Sequence, residues 1–292
     1  MTCRVRCAQF RLLVCLVALG LLSGCTKFDM LNALVPSCGY ARTTDVAYGD
    51  QPRQRLDVYR PHDAKPAAPV VIFFYGGYWQ YGNKNDYRFV GEALTSHGFI
   101  AVLLDYRLYP AVKFPAFVED GASAVRWTHD NIDRFGGDPQ HIYLMGHSAG
   151  AHIATLLTLD KHYLEDVGLS PDAIRATVGI SGPYDFMPGK TSRGVFNMTA
   201  SDTAAADPRI EPIHFADAHR APLLLLLHGA RDETVEAGNS TRLADRIQQF
   251  GGDARAIIYP KLGHQSIVLA LASPFRWLGP VLHDATTFFC QH

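Results

Sequence analysis

The 292-residue sequence predicts one α/β domain, a mostly parallel sheet of about eight strands with helices on both faces. Three observations predict it. Strand-like and helix-like segments alternate along the chain without internal repeats. Most strand-like runs are continuously apolar, the pattern of strands covered on both faces. Glycines at Gly98, Gly136-Gly137 and Gly251-Gly252 follow helical stretches, where a C-terminal cap favours positive φ.

The elements follow in order. Thr43–Tyr48 and Leu56–Tyr59 read as an opening antiparallel hairpin. Val70–Tyr75, Ile100–Leu104, Ile142–Met145, Thr177–Ile180, Leu223–Leu227 and Ala256–Tyr259 are apolar, β-rich runs. Helical patterns fill the gaps at Tyr87–His97, Ala116–Asn131, Ala149–Leu159, Ala237–Phe250 and Pro274–Phe289. Pro183–Pro222 breaks the rhythm with prolines and polar runs, and reads as a small cap insertion (about 183–222) over the carboxyl edge of the sheet. A hydrophobic content of 48% excludes a disordered chain. A formal net charge of −1, without long charge blocks, argues against a nucleic-acid partner.

Ile142–Met145 runs directly into Gly146-His147-Ser148-Ala149-Gly150 and then an Ala/Leu-rich helix. Strand, G-x-S-x-G, helix is the setting of a nucleophile elbow, in which a strained turn exposes a serine and only small neighbours avoid a clash. Ser148 is therefore the candidate nucleophile. The side chain of His147 leaves the elbow in a different direction from that of Ser148 and reads as a packing residue with a role in the pocket. Val70–Tyr75 ends in Gly76-Gly77-Tyr78-Trp79, where consecutive glycines let backbone N–H groups converge on one point. The amides of Gly77 and Tyr78, with that of Ala149 after the nucleophile, form a candidate oxyanion hole. Leu223–Leu227 leads to Asp232, and one helix and one strand later Gly263-His264 occupies the loop before the final helix. The order Ser148, Asp232, His264 supplies nucleophile, acid and base. Asp185 is the second choice of acid, and His228 and His283 read as structural. Neither CxxC nor HExxH occurs, so no structural metal is expected, and chemistry by Ser148, Asp232 and His264 needs no metal or organic cofactor.

Together these residues resemble the α/β-hydrolase esterases with an HGGxW-type oxyanion loop, the carboxylesterase, arylformamidase and feruloyl-esterase-like group. The resemblance rests on Tyr75-Gly76-Gly77-Tyr78-Trp79-Gln80, Asp105-Tyr106-Arg107-Leu108-Tyr109-Pro110, Phe114-Pro115, Asp138-Pro139, Gly146–Gly150, Asp232 and Gly263-His264. It implies an α/β-hydrolase fold and hydrolysis of carboxylic esters of small acyl or aryl substrates through an acyl-enzyme. An amidase or arylformamidase activity is the alternative, and an inactive scaffold on the same fold the third reading. The family's usual histidine before the glycines is Tyr75 here, whose hydroxyl is expected to hold the loop instead. Asp105-Tyr106-Arg107 is expected to anchor loops near the site.

The first residues are of another kind. Arg4, Arg6 and Arg11 flank the apolar run Leu12–Leu22, which is shorter than the ~20 residues that span a bilayer and reads as a secretory signal. Leu22-Ser23-Gly24-Cys25 resembles the lipobox of bacterial lipoproteins. That resemblance implies removal of residues 1–24, a lipid anchor on Cys25, a tether over 25–39 and a hydrolase domain over 40–292. It also places the domain in the cell envelope, with Thr26 suggesting outer-membrane sorting and a periplasmic domain. Cys38 and Cys290 are the cysteines left over, either paired in an oxidising compartment or free.

Overall fold

The computed structural model describes residues 27–186, 208–217 and 223–292. Cys25, the signal segment and most of the expected cap lie outside the described residues.

Eight strands form one sheet in the order β1-β2-β4-β3-β5-β6-β7-β8. They are β1 (Tyr40–Ala47), β2 (Arg55–Pro61), β3 (Ala68–Phe74), β4 (Ile100–Leu104), β5 (Gly137–His147), β6 (Ile174–Ile180), β7 (Leu223–Gly229) and β8 (Asp253–Tyr259). The predicted hairpin is present, with Thr43 opposite Val58 and Val46 opposite Leu56. β2 pairs antiparallel with β4, and every later pairing is parallel. The α/β-hydrolase architecture expected from the sequence is the one observed.

Apolar burial explains the arrangement. Val70, Val71, Ile72, Phe73 and Phe74 of β3 are essentially inaccessible, as is all of β4, so both sheet faces are covered. The helices are α1 (Lys27–Ala33), α2 (Arg88–Thr95), α3 (Ala116–Asn131), α4 (Ala149–Leu159), α5 (His162–Asp166), α6 (Gly238–Gln249), α7 (His264–Leu269) and α8 (Val281–Gln291). Helix α4 is buried nearly all round, in keeping with its continuous Ala/Leu/Ile composition. Parallel register brings the carboxyl ends of β3, β5, β6, β7 and β8 to one edge, where ligands of open α/β sheets bind.

Three expectations need correction. Within the tether expected over 25–39, Lys27–Ala33 is a helix docked on the domain. Leu31 and Val35 are buried there. The Asn32 side chain donates to the carbonyls of Asn85 (2.9 Å) and Asp86 (3.2 Å) and accepts from the Phe89 amide (3.2 Å). The helix expected over Pro274–Phe289 is two pieces, a 3-10 turn at Ser273–Leu278 and α8, because Pro280 lacks the N–H that continuity needs. The segment around Tyr87 likewise opens with a 3-10 turn, Lys84–Tyr87, before α2. Cys38 and Cys290 are both exposed, free thiols. Among the described residues no helix is long and apolar enough to cross a membrane.

Candidate active site

The turn from β5 into α4 puts Ser148 at φ 53° and ψ −120°, a conformation costly for a residue with a Cβ. It is held by its own backbone, with the Ser148 amide donating to the Ile180 carbonyl at 2.8 Å and its carbonyl accepting from the His152 amide at 3.1 Å. The turn closes only because its neighbours are small. A Cβ at Gly150 would run into the backbone carbonyl of Phe74, and one at Gly146 into that of Gly150.

His264 stands over this serine. Its Nε2 lies 2.9 Å from Ser148 Oγ and its Nδ1 2.8 Å from Asp232 Oδ2. A carboxylate only accepts, so Nδ1 carries the proton and Nε2 offers its lone pair to the serine hydroxyl. The histidine is the first residue of the short helix α7 rather than part of a loop, a small correction to the expected setting. The second carboxylate oxygen of Asp232 accepts from the amides of Thr234 (2.9 Å) and Val235 (2.8 Å). Burial pushes the Asp232 carboxyl upward, but hydrogen bonds from His228, His264 and the Val235 amide outweigh it and hold the group well below the usual carboxylate range. Asp185, the second choice, is paired with Arg242 instead.

The glycine turn after β3 reaches the same place. A Cβ on Gly76 would lie 2.9 Å from Ser148 Cβ, so this backbone passes directly beside the serine. Gly77 has φ +140°, and its carbonyl accepts from the amides of Gln80 and Tyr81, both at 2.9 Å, closing the turn. Tyr78 and Trp79 follow with φ 56° and 57°. The amides of Gly77, Tyr78 and Ala149 take no part in the loop-and-turn backbone hydrogen bonds of the described residues.

Side chains secure this turn from below. Tyr75 stacks on Tyr106 with ring centroids 4.6 Å apart, and the Tyr106 hydroxyl donates to the Tyr75 carbonyl at 2.8 Å. Arg53 donates to the Tyr75 hydroxyl at 2.6 Å, to the Gly82 carbonyl at 2.8 Å and to the Tyr106 carbonyl at 2.8 Å. The hydroxyl of Tyr75 thus takes the anchoring part expected of it, with burial raising its pKa. Asp105 accepts from the Lys84 amide and Arg107 pairs with Asp120, the structural use expected of that segment.

Two further histidines border the site. His147 does face the site: its Nε2 donates to the His264 carbonyl at 2.9 Å and the two rings are 4.9 Å apart. Burial first, and the neighbouring His264 second, push its pKa down to about 3, so the ring is neutral. His228, expected to be structural, lies 3.2 Å from Asp232. Adjacency to the nucleophile was a usable signal for His147. Nothing local marked Arg53, which lies in a polar turn far from the glycines in sequence. Among the described residues no group of three or more His, Cys, Asp or Glu is placed to hold a metal ion.

Residues 56–247 match the model of the BD-FAE family. The chain belongs to that family. Esterases are among its relatives. It is 33% identical over 241 residues to a probable isoprenylcysteine alpha-carbonyl methylesterase of Oryza sativa subsp. japonica, covering 77% of this chain and 58% of the relative. It is 30% identical to the esterase LipC of Mycobacterium tuberculosis, over 88% of this chain and 68% of LipC. A shorter match, 34% identical over 49% of this chain and 47% of the relative, is to kynurenine formamidase of Danio rerio. The chain thus spans little more than half the length of the plant methylesterases it matches. Esterase B of Lactobacillus rhamnosis shares the fold, with a TM-score of 0.75 at 20% identity over 97% of this chain and 95% of that structure.

Proposed function

We propose that this BD-FAE family member is a serine hydrolase that cleaves carboxylic esters of small acyl or aryl substrates. The observation that carries the reading is the unbroken line Asp232–His264–Ser148, with both contacts under 3 Å, ending beside the glycine turn. Ser148 Oγ attacks the ester carbonyl while His264 Nε2 takes its proton. The imidazolium so formed is stabilised by Asp232, and the amides of Gly77, Tyr78 and Ala149 receive the negative oxygen. His264 then protonates the departing alkoxide, leaving an acyl group on Ser148. It next removes a proton from water, which attacks the acyl-enzyme, and returns that proton to Ser148 Oγ as the acid leaves. No cofactor takes part in this sequence.

Treatment of the purified chain with a fluorophosphonate, followed by peptide mass spectrometry, tests this. The expected result is one adduct on Ser148, absent in His264→Ala. A folded protein that takes no adduct would overturn it. Turnover of aryl and alkyl esters beside N-formylarylamines then separates ester hydrolysis from the formamidase alternative.

The second part of the proposal is a lipid anchor at Cys25 that holds the domain at a bacterial envelope membrane. It is supported by the basic, apolar and Leu22-Ser23-Gly24-Cys25 segments in order. Expression in a bacterium with labelled fatty acid should label the chain and leave it in the membrane fraction. Cys25→Ala should abolish both. Label retained in that variant refutes the assignment.

A further inference from the structure

The hydrogen-bonded line that ends at Ser148 does not begin at Asp232. Behind the carboxylate lies His228, the sixth residue of β7, with no accessible surface. Its Nε2 is 2.9 Å from the Val235 carbonyl and 3.2 Å from Asp232 Oδ2. Its Nδ1 is 2.8 Å from Ser240 Oγ, in the first turn of α6.

These partners dictate the tautomer. Both neighbours of Nε2, a carbonyl and a carboxylate, are acceptors only, so a lone pair at Nε2 would face two oxygens. Nε2 must carry the hydrogen, shared between Val235 and Asp232. The Ser240 hydroxyl, able to donate, satisfies Nδ1. Asp232 Oδ2 therefore receives N–H groups from two histidines, His264 on the side of the nucleophile and His228 on the side of the core. Oδ1 receives two backbone amides. Four donors leave the carboxylate one orientation, the one in which Oδ2 meets His264.

We infer that His228, set by Ser240, is a positioning residue that fixes the Asp232 carboxylate for His264. A carboxylate held by two loop amides alone retains freedom to swing Oδ2 away from the imidazole. The N–H of His228, delivered from β7, a strand paired on both sides, removes that freedom. Losing it misdirects the base rather than the substrate, and small misplacements of reacting groups cost rates on the order of 10²-fold. The inference rests on the reading of Ser148, His264 and Asp232 as nucleophile, base and acid.

The test compares His228→Leu, which fills the space without a donor, with His228→Gln, whose side-chain amide restores an N–H near the same point. The rate of fluorophosphonate labelling of Ser148 reports serine activation without a chosen substrate, and p-nitrophenyl acetate hydrolysis separates kcat from KM. We expect His228→Leu to slow labelling and kcat about 10–100-fold with KM within about twofold, and Gln to recover most of the loss. The low-field proton resonance of His264 Nδ1–H should broaden or move in Leu and return in Gln. Equal losses in Leu and Gln, or a folded Leu variant labelled at the wild-type rate, overturn the inference. Should Leu fail to fold by circular dichroism, Ser240→Ala decides: a several-fold slower labelling supports it, an unchanged rate overturns it. A wild-type protein that takes no label at all defeats the underlying reading instead.

Discussion

The nucleophile elbow and the glycine turn beside it touch each other, yet they are held by different means. The elbow is fixed by main-chain packing: Gly146 and Gly150 admit no Cβ, and the Ser148 amide is tied to Ile180. The glycine turn is closed by main chain too, with Gly77 accepting from Gln80 and Tyr81, but it is braced in addition by side chains that arrive from elsewhere, Arg53 from the β1–β2 connection and Tyr106 from beyond β4. A backbone-packed turn breaks completely when a single atom is added. A turn held by side chains loosens by degrees, and its rate effect should exceed its stability effect.

The sharpest way to break the contrast is Gly150→Ala. The added methyl meets the Phe74 main chain, which has no room to yield, so a loss of about 3 kcal/mol or more and little soluble protein are expected. A variant that melts at the wild-type temperature would show the elbow is not close-packed in this way.

Acid should distinguish the two regions next. The elbow is flanked by His147 and His152, held neutral by burial with pKa values pushed down to about 3 and about 4. An unfolded histidine titrates near 6.5, so between that pH and the native values the unfolded chain binds more protons than the folded one. Their contribution is complete above about pH 6.5 and is lost as pH falls, by up to about 1.4 kcal/mol per unit for each ring. Urea midpoints should fall steeply from pH 6.5 to 4.5, and His147→Gln should flatten the slope. An unchanged slope would place the acid sensitivity elsewhere.

Arg53→Met sharpens the comparison from the other side. The arginine is partly exposed and serves three acceptors around the turn. Ester turnover should fall about 10–100-fold, toward the loss of one oxyanion donor, while the melting temperature moves by only a few degrees. Equal damage to both would mean the turn is structural alone. The smallest effect belongs to Tyr75→Phe, which deletes one hydroxyl acceptor and should cost about 1 kcal/mol and a few-fold in kcat.

The same contrast explains what was legible in the sequence. Features enforced by local sterics left local marks. Gly146-His147-Ser148-Ala149-Gly150 shows its small residues, and the strands show their apolar runs, so the sheet and the places of Ser148, Asp232 and His264 could be read. Features enforced across the fold left none. Nothing in the turn around Arg53 announces Tyr75, and His228 is separated from Ser240 by a loop whose course had to be seen. The N-terminal segment was misread for a related reason. Seven helical residues are too few for a periodic pattern, and its docking depends on Asn32 reaching backbone groups more than fifty residues away.

That docked segment determines where the protein can be cut. Phe28 lies against Tyr87 at 5.5 Å between rings, Tyr87 stacks on Tyr75 at 5.8 Å, and Tyr75 on Tyr106 at 4.6 Å. The four rings form a column running from the first described helix, α1, to the foot of the glycine turn. A soluble version begun at residue 40 would lose the outermost ring and uncap the Asn85–Phe89 backbone that Asn32 serves. The boundary that keeps the column whole lies ahead of Lys27, so the region that resembles a dispensable leash is the first course of the wall behind the oxyanion turn.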